Sequence, residues 1–158
     1  KIELNPASDF LFNGKDDLNF LLKANKGGQF LPFKKGASGG EVSRIMLAVK
    51  SMLSKHQKLP TIMFDEIDTG VSGEISNKMA SIMQDMSQYM QVFTITHLPQ
   101  IGAKGAHHFK VFKVDNDAST ATQLKKLNTN ERLEEIAQML SGKEITETAK
   151  QHAQQLLN

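Results

Sequence analysis

The chain has 158 residues, 39% of them apolar and 23% charged, which suits one compact domain with a core of ordinary size. No run approaches the roughly 20 apolar residues of a membrane span, and the opening lacks the basic and apolar pattern of a signal peptide. There is no cysteine, which excludes disulfides and thiolate metal sites and fits a cytoplasmic location, and the formal charge of +2 comes from scattered lysines rather than a basic stripe, so strong DNA contact is expected elsewhere in a longer protein.

In chain order, Leu18, Phe20 and Leu22 alternate with Asn19, Leu21 and Lys23 and predict a strand. Asn25 to Gly28 reads as a turn, and Phe30 to Phe33 as a second extended piece. Gly36-Ala37-Ser38-Gly39-Gly40 precedes a helix from Glu41 to about His56, on which Val42, Ile45, Met46, Val49, Met52 and Leu53 form one apolar face. Pro60 ends it. Thr61 to Phe64 is a short buried strand that runs into Asp65-Glu66-Ile67-Asp68.

A helix over 74–89 follows, with Ile75, Met79, Ile82, Met83 and Met86 turned inward, then a second buried strand over 91–96 that ends at His97. Strand, helix, strand implies a parallel pair with a right-handed crossover. Residues 107–114 alternate as a strand, Asp115 to Thr120 reads as a turn, and 121–127 supplies a hairpin partner. Helices over 130–140 and 145–157 complete the chain, with Thr129 and Thr146 as their starts. The fold class expected is α/β: a parallel sheet core, flanking helices and a small β-hairpin, in a single domain.

Three segments carry chemistry. An apolar strand that delivers Asp65 and Glu66 to its carboxyl end puts two carboxylates where α/β proteins bind ligands. There Asp65 suits Mg²⁺ held through water, and Glu66 suits orienting and deprotonating an attacking water. Read alone, such a pair is more often two solvated acids opening a loop. Ser38, Gly39 and Gly40, standing before a long helix with Glu41 three residues on, fit two readings equally: a capping box, or a phosphate contact made by the serine, the glycine amides and the helix dipole. His97, at the end of the second strand, lies on the same edge as the acids and can hydrogen-bond a transferring phosphoryl group.

The order of these pieces resembles the C-terminal half of ABC-type ATPases. Ser38-Gly39-Gly40-Glu41 resembles the signature motif, Thr61 to Glu66 resembles Walker B with its catalytic glutamate, and His97 resembles the switch histidine. The stretches Ala37 to Ala48, Phe64 to Gly73 and Thr96 to Gln100 are similar to those of the RecN branch, SMC-like ATPases of bacterial DNA repair. The resemblance spans nearly the whole chain. It departs from the wider ABC pattern at Ala37, where many members have leucine, and at Ser72, where the loop after Walker B usually carries aspartate. Asp68 is left as a candidate for contacts across a dimer.

The resemblance implies the fold of an ABC-type C-terminal lobe and an ATPase head in which two heads sandwich two ATP molecules with Mg²⁺. The P-loop of one head faces Ser38 to Gly40 of the other, Asp65 and Glu66 serve hydrolysis in the nucleotide's own head, and His97 senses the γ-phosphate. Implied partners are an N-terminal Walker A lobe, a second head and double-stranded DNA, in a cytoplasmic, nucleoid-associated protein of double-strand break repair and recombination. No G-x-x-x-x-G-K-[ST] occurs in the chain, so this piece alone is expected to be inactive. Two other readings compete: a metal-dependent nuclease using Asp65, Glu66 and Asp68, and a non-catalytic module for dimerisation or DNA docking. His107-His108 reads poorly as a metal pair, because neighbours on a strand face opposite ways. Arg44 reads as a surface salt-bridging residue, and the methionines as core filler.

Overall fold

Two units divide the chain, Lys1–Ile45 and Met46–Asn158. The computed structural model describes residues 1–12, 14–56, 59–116, 119–142 and 144–158.

Alternation governs the first unit. Strands β1 (Ile2–Leu11) and β2 (Gly14–Leu22) pair antiparallel, with Ile2 opposite Phe20 and Leu4 opposite Leu18. The register shifts between Pro6 and Leu11, and Pro6 has no N–H to give the ladder. The expected extended piece over 30–33 shrinks to β3 (Leu31–Pro32), paired with Leu21 and Leu22, and Phe33–Gly36 winds into a single helical turn, α1. Glycine is required where that turn ends: a Cβ on Gly36 would stand 2.6 Å from Leu31 Cβ.

Helix α2 (Gly39–Ser54) begins in the first unit and ends in the second. Its expected apolar face is largely exposed at Met46, Val49, Met52 and Leu53, and the residues it buries are Leu47 and Ser54. The 3.6-residue pattern identifies an apolar stripe but not what covers it.

In the second unit the strand-helix-strand reading holds. Strands β4 (Thr61–Asp65) and β5 (Gln91–Ile95) pair in parallel, in step from Thr61 opposite Gln91 to Asp65 opposite Ile95, with α3 (Glu74–Met86) between them in sequence. Period two sorts their side chains. Ile62, Phe64 and Val92 pack into a core with Leu47, Val71, Met79, Ala80, Met83, Met86, Met90 and Ile101, whereas Met63, Phe93 and Ile95 are exposed. Burial of a side chain such as Phe64 stabilises by about 1.5–3 kcal/mol. Of the five residues expected inward on α3, Ile75 is exposed, because it sits in the first turn at the margin of the stripe centred on Ser76, Met79, Ala80 and Met83.

A short helix not anticipated from sequence, α4 (Pro99–Lys104), follows β5. The hairpin forms from β6 (Phe109–Asn116) and β7 (Ser119–Lys126); residues 117 and 118 of the expected turn lie outside the described residues. His107 and His108 thus precede the strand rather than lie on it. Helix α5 (Thr129–Ser141) is capped one residue earlier than expected, by Asn128, whose side chain accepts from Glu131 N–H while Glu131 accepts from Asn128 N–H, each at 3.0 Å. Thr146 caps α6 (Glu147–Leu157) as expected, accepting from Ala149 N–H at 3.1 Å. Ala103, Ile136, Ala137, Ala149 and Ala153 form a second core among α4, α5 and α6.

Beside that core, His108 is partly buried and its Nδ1 has no hydrogen-bond partner among the described residues. Burial above all, with the positive charges of Arg132 and Lys110 adding to it and Glu135 opposing, holds its pKa below the usual histidine value. As pH falls below about 6.5 the unfolded chain takes up this proton before the folded one, so stability drops until the folded imidazole also titrates. Melting temperature followed from pH 7.5 to 5 should therefore fall less steeply in His108→Gln than in the native chain. Equal slopes would assign the acid sensitivity to other groups.

Candidate functional site

Asp65 ends β4 and Glu66 is the first residue beyond it, while β5 ends at Ile95 and His97 stands two residues further on. Parallel pairing brings these termini side by side, and Glu66 N–H donates to Ile95 O at 3.1 Å. Asp65, Glu66 and His97 are all exposed on that edge, and among the described residues neither carboxyl is held in an ion pair. Two oxygen-donor side chains and an imidazole at the carboxyl end of a parallel pair suit a hydrated hard cation and a phosphate ester.

Glu66 has φ 45°, the one described non-glycine residue in the left-handed region. Such backbone costs on the order of 1 kcal/mol and persists when surrounding bonds over-determine it. Here Glu66 O accepts from the Thr69 hydroxyl at 2.8 Å and from Thr69 N–H at 3.2 Å, while its N–H is held by Ile95. The turn is fixed at both of its peptide groups.

Asp68 corrects two expectations. It is fully buried, with an exposure of 0%, and its Oδ2 accepts a hydrogen bond from the Thr96 hydroxyl. It therefore offers neither a dimer contact nor a third metal-facing carboxyl, and no group of three His, Asp or Glu residues is poised for a metal ion among the described residues. The Asp68–Thr96 pair is the feature that sequence reasoning missed. The only signal was a threonine directly before His97 and a second acid two residues after Glu66.

In the first unit, Ser38 precedes α2, and its hydroxyl and N–H both donate to Glu41 Oε2 at 2.7 Å. Glu41 N–H returns a longer bond to Ser38 Oγ at 3.4 Å, so the capping box forms. The bond from the Ser38 backbone, then that from its hydroxyl, lowers the Glu41 pKa. Space is open beside Gly39, where an added Cβ would meet nothing within 4 Å. Arg44, on the same helix, acts as a further positive neighbour of Glu41.

This chain is 43% identical over 149 residues to the DNA repair protein RecN of Halalkalibacterium halodurans, and 40% identical over 158 residues to that of Haemophilus influenzae; these alignments cover 94% and 99% of the chain. The Bacillus subtilis RecN aligns at 42% identity over 91% of it. The chain belongs to the RecN family. It spans 26%, 28% and 25% of those RecN proteins, about a quarter of their length. No protein-family model matches it.

Among solved structures, the SMC head domain with a coiled coil and joint from Pyrococcus yayanosii matches 77% of the chain and 22% of its own, with a TM-score of 0.61 and 19% identity. A structure concerned with ATP-driven dimerisation and DNA-stimulated activation of SMC ATPases matches 90% of the chain and 84% of its own, at 0.59 and 17%. The RecN-family chain thus has the α/β fold of an SMC head.

Proposed function

We propose that this chain is the C-terminal half of the ATPase head of an SMC-like DNA repair protein, a single domain over 1–158 that works with a separate P-loop lobe. The full protein hydrolyses ATP in double-strand break repair and recombination, in the bacterial cytoplasm at the nucleoid; no described helix is long and apolar enough to cross a membrane. The observation that carries this reading is that Glu66 and His97 follow the same end of adjacent parallel strands, with the N–H of Glu66, just beyond β4, donating to Ile95 O at the end of β5.

In this scheme Glu66 accepts the proton of the attacking water, and His97 donates a hydrogen bond to the transferring phosphoryl group. Asp65 would hold Mg²⁺, and the ion would supply charge neutralisation on the phosphates. Ser38 and the Gly39 and Gly40 amides contact the ATP of an opposing head, at a helix N-terminus whose first N–H groups lack helical partners. Glu41 is already bonded to Ser38, so the serine hydroxyl turns from Glu41 to phosphate when the heads close. Double-stranded DNA is engaged by the whole protein.

A mixing experiment tests the division of labour between heads. Full-length Ser38→Arg and Glu66→Gln variants should each be inactive, whereas their equimolar mixture should recover about a quarter of native turnover, because half the dimers are mixed and each mixed dimer has one intact site. No recovery in a mixture shown to exchange subunits would refute the shared site.

A further inference from the structure

Asp68 and Thr96 fix the relation between the proposed water-activating turn and the histidine strand end. Asp68 lies two residues beyond Glu66, on the turn whose geometry Thr69 holds at Glu66 O. Its carboxyl reaches Thr96, the residue directly before His97. The Thr96 hydroxyl donates to Asp68 and accepts from Leu98 N–H at 2.9 Å, so the backbone is held on both sides of His97. Val71 N–H donates to Asp68 O at 3.1 Å, anchoring the acid's own peptide.

The second oxygen of Asp68, Oδ1, is buried without a partner among the described residues. A loop selected only for stability would place an apolar or fully satisfied side chain there, since buried polar groups are nearly always hydrogen-bonded. We infer that Asp68 and Thr96 are positioning residues that set His97 against Glu66 for ATP hydrolysis. This rests on the function proposed above. Neither side chain reaches solvent as an exposed group, so they act through backbone placement and not by touching nucleotide.

The test uses the full-length protein. Thr96→Val keeps the side-chain volume and removes the hydroxyl; Asp68→Asn keeps the shape of the acid; Thr96→Ser restores the hydroxyl. Thr96→Val should lower kcat about 10- to 100-fold, the scale of an ångström-sized misplacement, with KM for ATP within about twofold, whereas Asp68→Asn, whose amide oxygen can still accept from the Thr96 hydroxyl, should lower it less. Thr96→Ser should keep near-native kcat, and the double variant should be no slower than the slower single one. A loss confined to kcat, with rescue by serine, is not what general loosening of the fold produces.

Native kcat in Thr96→Val overturns the inference. Should Asp68→Asn fail to fold, Thr96→Val alone decides between the two outcomes. Glu66→Gln measured alongside separates the two levels: if it turns over normally the proposed function fails, and if it is inactive while Thr96→Val is native only the positioning role fails.

Discussion

Glutamine at position 66 should lower ATP turnover of the full-length protein by about 100- to 10,000-fold, the usual contribution of a placed general base. In activation free energy that is about 2.7 to 5.5 kcal/mol. The substitution is well isolated. Glutamine matches glutamate in size, makes the same demand on the left-handed backbone, and leaves the Thr69 and Ile95 bonds untouched because they run to the peptide of residue 66. The carboxylate's charge and its ability to take a proton are removed, and the shape is kept. Nucleotide affinity, measured by equilibrium binding, should therefore stay near native while kcat collapses, and ATP-bound dimers should accumulate. Turnover within about threefold of native would remove Glu66 from the chemistry.

Ile136→Ala should destabilise this chain by about 2–5 kcal/mol. Ile136 has 0% exposure and sits among Ala103, Ala137, Ala149 and Ala153. Gly102 brings α4 close to it: a Cβ there would lie 3.3 Å from Ile136 Cδ1. Leu133, Met139, Leu140, Leu156 and Leu157 pack against the same cluster, so how far they relax into the gap sets the size of the loss. Urea unfolding of the two forms gives the number, with Ile136→Val as a control at about 0.5–1.5 kcal/mol. A loss under about 1 kcal/mol for alanine would show that the helices collapse onto the gap.

Much of this was legible because it depends on direction and period. The runs Thr61 to Phe64 and 91–96 with a helix between them force a parallel pair, and a parallel pair has one carboxyl edge, so Asp65, Glu66 and His97 fall on it without further information. Thr146 was readable as a cap; at α5 the choice between Asn128 and Thr129 turns on Glu131, which stands three residues after the asparagine and completes the reciprocal box.

What escaped depends on tertiary contact. Asp68 stands in a run of acids after an apolar strand and reads as a candidate for a dimer or metal contact; only the approach of Thr96, just beyond β5, makes its burial tolerable. Helix α4 is too short for a periodic signal, and Pro99 reads first as a break although it occupies an early helical position. The apolar face of α2 was seen in the pattern, but its exposure is a fact about neighbours, which a periodicity cannot contain.

The inverted backbone at Glu66 sets two selective pressures against each other at a single codon. Glycine would relax that turn and asparagine would suit it better than glutamate, so variants ranked by thermal survival alone should drift toward residues that lack the carboxylate on which the proposed hydrolysis rests. Consensus stabilisation of this domain should accordingly hold position 66 fixed and look for its gains elsewhere.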